Sequence, residues 1–222
     1  MSNAVRLSCW AAVVGAAILT VAVLVFSVLV PGHALDGKTA QSAGFIGINI
    51  IGAIGTALIV YGMPGLYAWQ AEGWGRLGLA GMALIALAQM LFGSVSLMAA
   101  TLYPWLGEKA PDLLKDPNAA PLIGLVFLVW FVAMVAGNIL MAIPVLRRRV
   151  GPRWIGFVLI GSAVMSVVYM AAALTPPNVL VSLVGGLGPI LLCVALGYLG
   201  YLGASETKSV RAEPAAIAAQ RA

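Results

Sequence analysis

The sequence predicts an all-α, polytopic membrane protein: a bundle of six transmembrane helices. Of its 222 residues, 62% are hydrophobic and only 9% are charged, and the mean hydropathy is +1.05, far outside the soluble range. Asp, Glu, Lys and Arg are absent from 7–35, 39–71, 77–107, 117–146 and 154–205. About 20 apolar residues span the roughly 30 Å hydrocarbon layer as a helix, so four of these stretches supply one crossing each. The last is interrupted by "TPPN" at 175–178, where two prolines remove backbone donors and stop a helix, so it supplies two. A β-barrel would alternate apolar and polar positions, whereas "LIGLVFLVWFVAMVAGNILMAIPVL" is apolar on every side.

The predicted crossings are 8–30, 43–67, 77–101, 121–146, 154–174 and 179–203, a single domain over 1–203, followed by a short tail, 204–222, expected to be disordered. In the first crossing, Arg6 precedes the apolar run Cys9–Val30, and "GHA" at 32–34 loosely resembles a cleavage site. That run exceeds the roughly 7–15 residues of a signal core, so an uncleaved helix is expected. In the second, Gly44, Gly47, Gly52, Gly55, Gly62 and Gly65 fall within an arc of about 140° and form one stripe. Small residues on one face let helices approach closely in lipid. In the third, Gly78, Gly81, Gln89, Gly93 and Ser96 share a face, which puts the Gln89 amide inside the bundle. The sixth repeats the device with Ser182, Gly186, Cys193, Gly197 and Gly200. The longest loop, 102–120, offers Tyr103, Trp105, Leu106, Leu113 and Leu114 as interfacial anchors, with Glu108, Asp112 and Asp116 facing water.

Basic residues set the expected orientation. Arg6, Arg76, Arg147, Arg148, Arg149, Arg153, Lys208, Arg211 and Arg221 fall on one side, against Lys38, Lys109 and Lys115 on the other. Positive charge is retained in the cytoplasm during insertion, so both termini are expected there. The cluster Arg147, Arg148, Arg149 and Arg153 has two readings, a topology determinant or a site for an anionic lipid head group or acidic partner; a basic residue near an anionic leaflet contributes about 1 kcal/mol either way. Gly151 and Pro152 supply the turn inside it. The loop is too short to enter a nucleic-acid groove, so nucleic acid is not an expected partner. Glu72 can pair with Arg76 or with the cluster, for about 0–1 kcal/mol.

An internal repeat is possible. At an offset of 80, Pro64, Leu66, Trp74, Leu79, Gly81 and Ala83 align with Pro144, Leu146, Trp154, Leu159, Gly161 and Ala163. A duplicated hairpin, crossings 2–3 and 4–5, would then place an equivalent Trp at the water interface of each copy.

Chemistry is sparse. His33 is the only histidine and Cys9 and Cys193 the only cysteines, which leaves paired-histidine haem, His-rich zinc and Ser-His-Asp centres unsupported. No catalytic residue, metal site or cofactor is predicted. No charged residue lies within the crossings, unlike ion-coupled carriers and proton pumps. The amides Asn49, Gln89 and Asn138 remain, either as glue between helices at roughly 0.6 kcal/mol each or as a polar pocket for a neutral or amphipathic molecule.

The segments "GLYAWQAEGWGRLGLAG", "YPWLGEKAPDLL" and "VGPRWIGFVLIGS" together resemble those of a broad set of poorly characterised six-helix integral membrane proteins of actinobacteria and related bacteria. The likeness follows the general pattern of most of the chain, most clearly from the second crossing to the fifth. It implies a bacterial plasma membrane location and no particular activity. The leading expectation is a non-catalytic accessory or assembly subunit, or a lipid-interacting protein, with the bilayer, anionic lipids, a membrane-protein partner or a second copy as partners. A carrier or channel for a small neutral or lipophilic solute is the alternative, and an intramembrane enzyme the third. Reporter fusions after Ala40 and Asp116 should read outside and a fusion after Ala222 inside; an outside signal at Ala222 would overturn the six-crossing order.

Overall fold

The computed structural model describes residues 2–30, 36–110, 113, 121–147, 149–172 and 179–219, with the backbone alone at 121–123, 172, 179–183 and 206–219. Its elements are α1 (Asn3–Leu29), α2 (Gly37–Gln41), α3 (Ala43–Trp69), α4 (Ala71–Lys109), α5 (Pro121–Leu146), α6 (Arg153–Ala172) and α7 (Val179–Ala219). All but α2 are long and apolar enough to cross a membrane. The chain is therefore a helical, multi-pass membrane protein. His33, the "TPPN" break, Arg148 and the loop residues Asp112, Leu114 and Asp116 lie outside what is described, as does the Ser182 side chain.

Local chemistry explains most boundaries. Asp36 caps α2 by accepting from the Thr39 amide at 2.7 Å, and Ser42 caps α3 by accepting from the Phe45 amide at 3.2 Å, each satisfying an otherwise orphaned donor. The one-turn α2 carries no apolar periodicity and was not predicted. It docks on α4 through Gly37 and Gly107, where a β-carbon on Gly37 would stand 2.9 Å from the Gly107 carbonyl oxygen.

Two helices run well past their expected bounds. The third crossing, predicted over 77–101, belongs to a helix running from Ala71 to Lys109. Gly75, at φ 56°, breaks its first turn from the rest, a left-handed conformation that glycine accepts without a side-chain clash. At the far end the helix carries on through Pro104 to Lys109, and the half-buried Tyr103 turns inward, its ring stacked 6.4 Å from Phe45. The last helix carries on as helical backbone into the tail, to Ala219; the tail's alanines are strong helix formers.

Six helices close into a ring. α1 packs on α3, α3 on α4, α4 on α5, α5 on α6, α6 on α7, and α7 returns to α1. Consecutive helices are antiparallel neighbours, as in an up-and-down bundle. One end carries the N-terminus and the turns that hold Gly75 and the arginines, and is called here the arginine end.

Along the α1–α3 seam the helices diverge. A β-carbon on Gly65 would stand 2.5 Å from Ser8 Cβ, and on Gly62 2.6 Å from Ala12 Cβ; on Gly55 the nearest atom is at 3.0 Å, and on Gly52 at 3.8 Å, from Ala22 Cβ. Near the arginine end the backbones touch; toward the opposite end they separate. Gly200 of α7 sits against the Cys9 carbonyl in the same manner, at 2.7 Å. The glycine face expected on the third crossing is shared between two neighbours, since Gly81 meets Met141 of α5 and Gly93 meets Thr56 of α3.

The two hairpins related by the offset of 80 differ in environment. Trp74 is 1% exposed and donates its indole N–H to the Leu66 carbonyl at 2.9 Å, whereas Trp154 is 43% exposed, with its ring 4.9 Å from Tyr198. Trp74 is thus a core residue and not the interfacial ring expected. Leu79 is exposed where its counterpart Leu159 is buried.

The taper predicts opposite signs for one substitution. Gly62→Ala forces a β-carbon into Ala12 and should lower stability in detergent by about 1–3 kcal/mol through overpacking. Gly47→Ala, with no atom within 4 Å of its β-carbon, should gain up to about 1 kcal/mol from helix propensity. Thermal melts ranking the two the other way round would contradict the taper.

Candidate functional site

The buried polar side chains sort by depth. Asn138 is 0% exposed on α5 and donates its amide N–H to Ser162 Oγ at 3.1 Å; Ser162 in turn donates to the Gly188 carbonyl at 2.7 Å. Three helices, α5, α6 and α7, are tied by this relay. Both side chains are buried, and each such bond contributes about 0.6 kcal/mol against an unfolded state that also finds partners. Gln89 is buried on α4 as expected, and its Oε1 has no hydrogen-bond partner, like Asn138 Oδ1. Asn49 is buried on α3 and donates to the Phe45 carbonyl at 2.9 Å.

These three amides do not form one pocket. At 1.5 Å per residue, Asn138 lies about 12 Å from the arginine end of α5, Gln89 about 20 Å along α4 from Arg76, and Asn49 about 30 Å along α3 from Trp69. Of the three, Asn49 lines an open space.

That space is a cavity of about 490 Å³ in the half of the bundle away from the arginines, bordered by α1, α3, α4, α5, α6 and α7. Aromatic rings dominate its wall: Phe26, Phe45, Phe92, Phe127 and Trp130, with Tyr169. Asn49, Ser96 and Ser27 add hydrogen-bonding groups, and among the described residues no charged side chain lines it. Volumes of about 300–1,000 Å³ suit small-molecule ligands. The other half of the interior is filled, with Ile59, Leu66, Ile85, Met141, Leu159 and Leu196 all 0% exposed. Gln89 stands one helical turn below Phe92, between the two halves.

Sequence reasoning missed this cavity, although a signal was present. Five of the six phenylalanines, Phe26, Phe45, Phe92, Phe127 and Phe131, lie in the same half of their respective crossings. A concentration of bulky rings at one level marks where helices stand apart.

Of the arginine cluster, Arg147, Arg149 and Arg153 are exposed. Arg153 has a structural task that sequence reasoning did not assign: its Nε donates to the Leu146 carbonyl at 3.1 Å, satisfying an orphan acceptor at the C-terminus of α5 where positive charge is also favoured. Gly151, at φ 61°, makes the turn as expected. The Arg149 carbonyl presses on Gly73, so the two turns touch. Glu72 makes no ion pair with Arg76, Arg147, Arg149 or Arg153; among the described residues the ion pair present is Lys109 with Glu108 at 2.6 Å, both exposed.

Fold and site together define a six-helix membrane bundle, closed at one end and hollow at the other. Protein-family models, curated proteins and solved structures give no match to the chain.

The relay predicts an order of effects. Ser162→Ala frees both the Asn138 amide and the Gly188 carbonyl, and should cost more than Asn138→Leu, expected at about 0.6 kcal/mol. Gln89→Leu removes an unpartnered oxygen and should stay within about 1 kcal/mol of the native chain. Unfolding in mixed detergent measures all three, and a Gln89→Leu loss larger than that of Ser162→Ala would contradict the assignment.

Proposed function

We propose that the chain is a non-catalytic protein of a bacterial plasma membrane, with both termini cytoplasmic, that holds an uncharged lipophilic molecule in the hollow half of its bundle. It would act as a lipid-interacting or accessory subunit, alone, with a second copy or with a membrane-protein partner. The observation that carries this reading is the cavity of about 490 Å³, walled by aromatic rings and, among the described residues, without a charged side chain. A charged ligand would lose its hydration there with nothing to replace it, whereas an apolar one would exchange lipid contacts for aromatic ones. The nine-to-three division of basic residues supports the orientation, and the resemblance of the three interfacial segments supports a bacterial membrane. Arg147 and Arg149, exposed beside the turns, suit anionic head groups at about 1 kcal/mol each.

The filled half of the interior favours binding over conduction. A carrier is the second reading, favoured by one observation: the cavity is closed toward the arginine end by that filled half, as one state of an alternating-access protein requires.

Gly52 offers a direct test, because a β-carbon there meets only Ala22 Cβ at 3.8 Å and Ser96 Oγ at 3.9 Å, both on the cavity wall. Gly52→Leu should push four carbons into the middle of the space, obstructing a ligand there, and leave folding intact. Organic extraction and mass spectrometry should recover a lipophilic compound from the native chain, purified in mild detergent, and much less from the variant. Equal recovery from both would remove the cavity as its binding site.

A further inference from the structure

We infer that the cavity is loaded from the side, by the hydrocarbon chain of a membrane lipid passing between α5 and α6. This rests on the reading of the cavity as a binding site and adds the ligand class and its route. The α5–α6 seam is tight near the arginine end, where a β-carbon on Gly156 would stand 2.6 Å from Leu146 Cγ, and it is bonded in the middle by Asn138 and Ser162. That bond fixes the register of two antiparallel helices. Eight residues further from the arginine end on each helix, Trp130 faces the level of Met170, and both border the cavity without being buried. Phe127 borders it too while 39% exposed. A residue that touches both the cavity and the outside marks a thin or open wall.

The change along α5 is abrupt. No residue from Gly124 to Val132 is buried, whereas Ala133, Met134, Gly137, Asn138 and Met141 are. Neighbouring seams stay closed at the same level. Phe92 stacks on Trp130 at 6.0 Å between α4 and α5, and between α6 and α7 a β-carbon on Gly185 would stand 2.6 Å from the Tyr169 ring. The opening therefore lies between α5 and α6, inside the apolar belt, where the available molecules are lipid chains. A chain entering there leaves hydrocarbon for a wall of the same polarity, so nothing charged must be desolvated.

Photolabelling in proteoliposomes of phosphatidylethanolamine and phosphatidylglycerol, with a diazirine midway along one chain of each lipid, tests this. The native chain should be labelled at inward positions of 45–52 and 92–99 as well as on its outer faces. In the double variant Trp130→Cys, Met170→Cys, a reducible bismaleimide bridge should abolish the inward labels, and reduction should restore them; Cys9 and Cys193 are buried and should not react. Inward labelling that persists across the bridge would overturn side access while leaving the cavity a binding site. A native chain with no inward label, but with a compound that Gly52→Leu displaces, would show that the ligand is not a lipid chain and overturn the inference alone. Loss of both results would take the binding site with it. If the unbridged double variant does not label like the native chain, Trp130→Ala is read in its place: wider access should increase inward labelling, and unchanged labelling would overturn the proposal.

Discussion

In lipid, an apolar side chain gains no hydrophobic free energy by leaving the hydrocarbon for a neighbouring helix, so association depends on how closely two backbones can approach. The approach of α1 to α3 is the contact on which the remainder of this bundle rests. Ser8, Ala12 and Gly15 on one helix meet Gly65, Gly62 and Gly55 on the other, with nothing larger than a methyl or hydroxymethyl group between them. Because α1 also receives Gly200 and Gly203 of α7 on its Cys9 side, it is the piece that closes the ring. Without that double contact the chain would be a row of hairpins with two open edges.

The same seam sets where the ring is hollow. Close contact at Gly65 and Gly62 and separation at Gly52 tilt α1 away from α3, and the volume released appears between Ala22, Gly52 and Ser96. Phenylalanine and tryptophan rings then line the wide end without filling it. The narrow end is sealed by aliphatic side chains, by the indole of Trp74 bonded to Leu66 and by the turns that meet at Gly73 and Arg149. One end is therefore filled and the other open.

Much of this was legible in the sequence because lipid constrains composition so strongly. Charge-free stretches and the paired prolines at 176–177 were enough to expect six crossings, and six helices are long and apolar enough to make them. The interior placement of Gln89 followed from helical periodicity, and the α1-facing stripe of α3 from its glycines. What could not be read was distance: periodicity says which face turns inward but not whether the opposite wall touches it, so Asn49 borders a cavity while Asn138 meets Ser162. The offset-80 repeat was misleading at Trp74, where identity of residue type hid opposite burial. Arg153 was grouped by charge with its neighbours, though its spacing across the Gly151–Pro152 turn lets it reach back to Leu146.

The central claim is that this ring is closed on glycine contacts at the arginine end and encloses a lipophilic molecule at the other. A structure determined in lipid nanodiscs measures both at once. It should show elongated density lying between Ala22, Asn49 and Ser96, with Ala12 still against Gly62. A wide end collapsed onto its own rings, or a water-filled path running past Gln89 to the arginine end, would contradict the account.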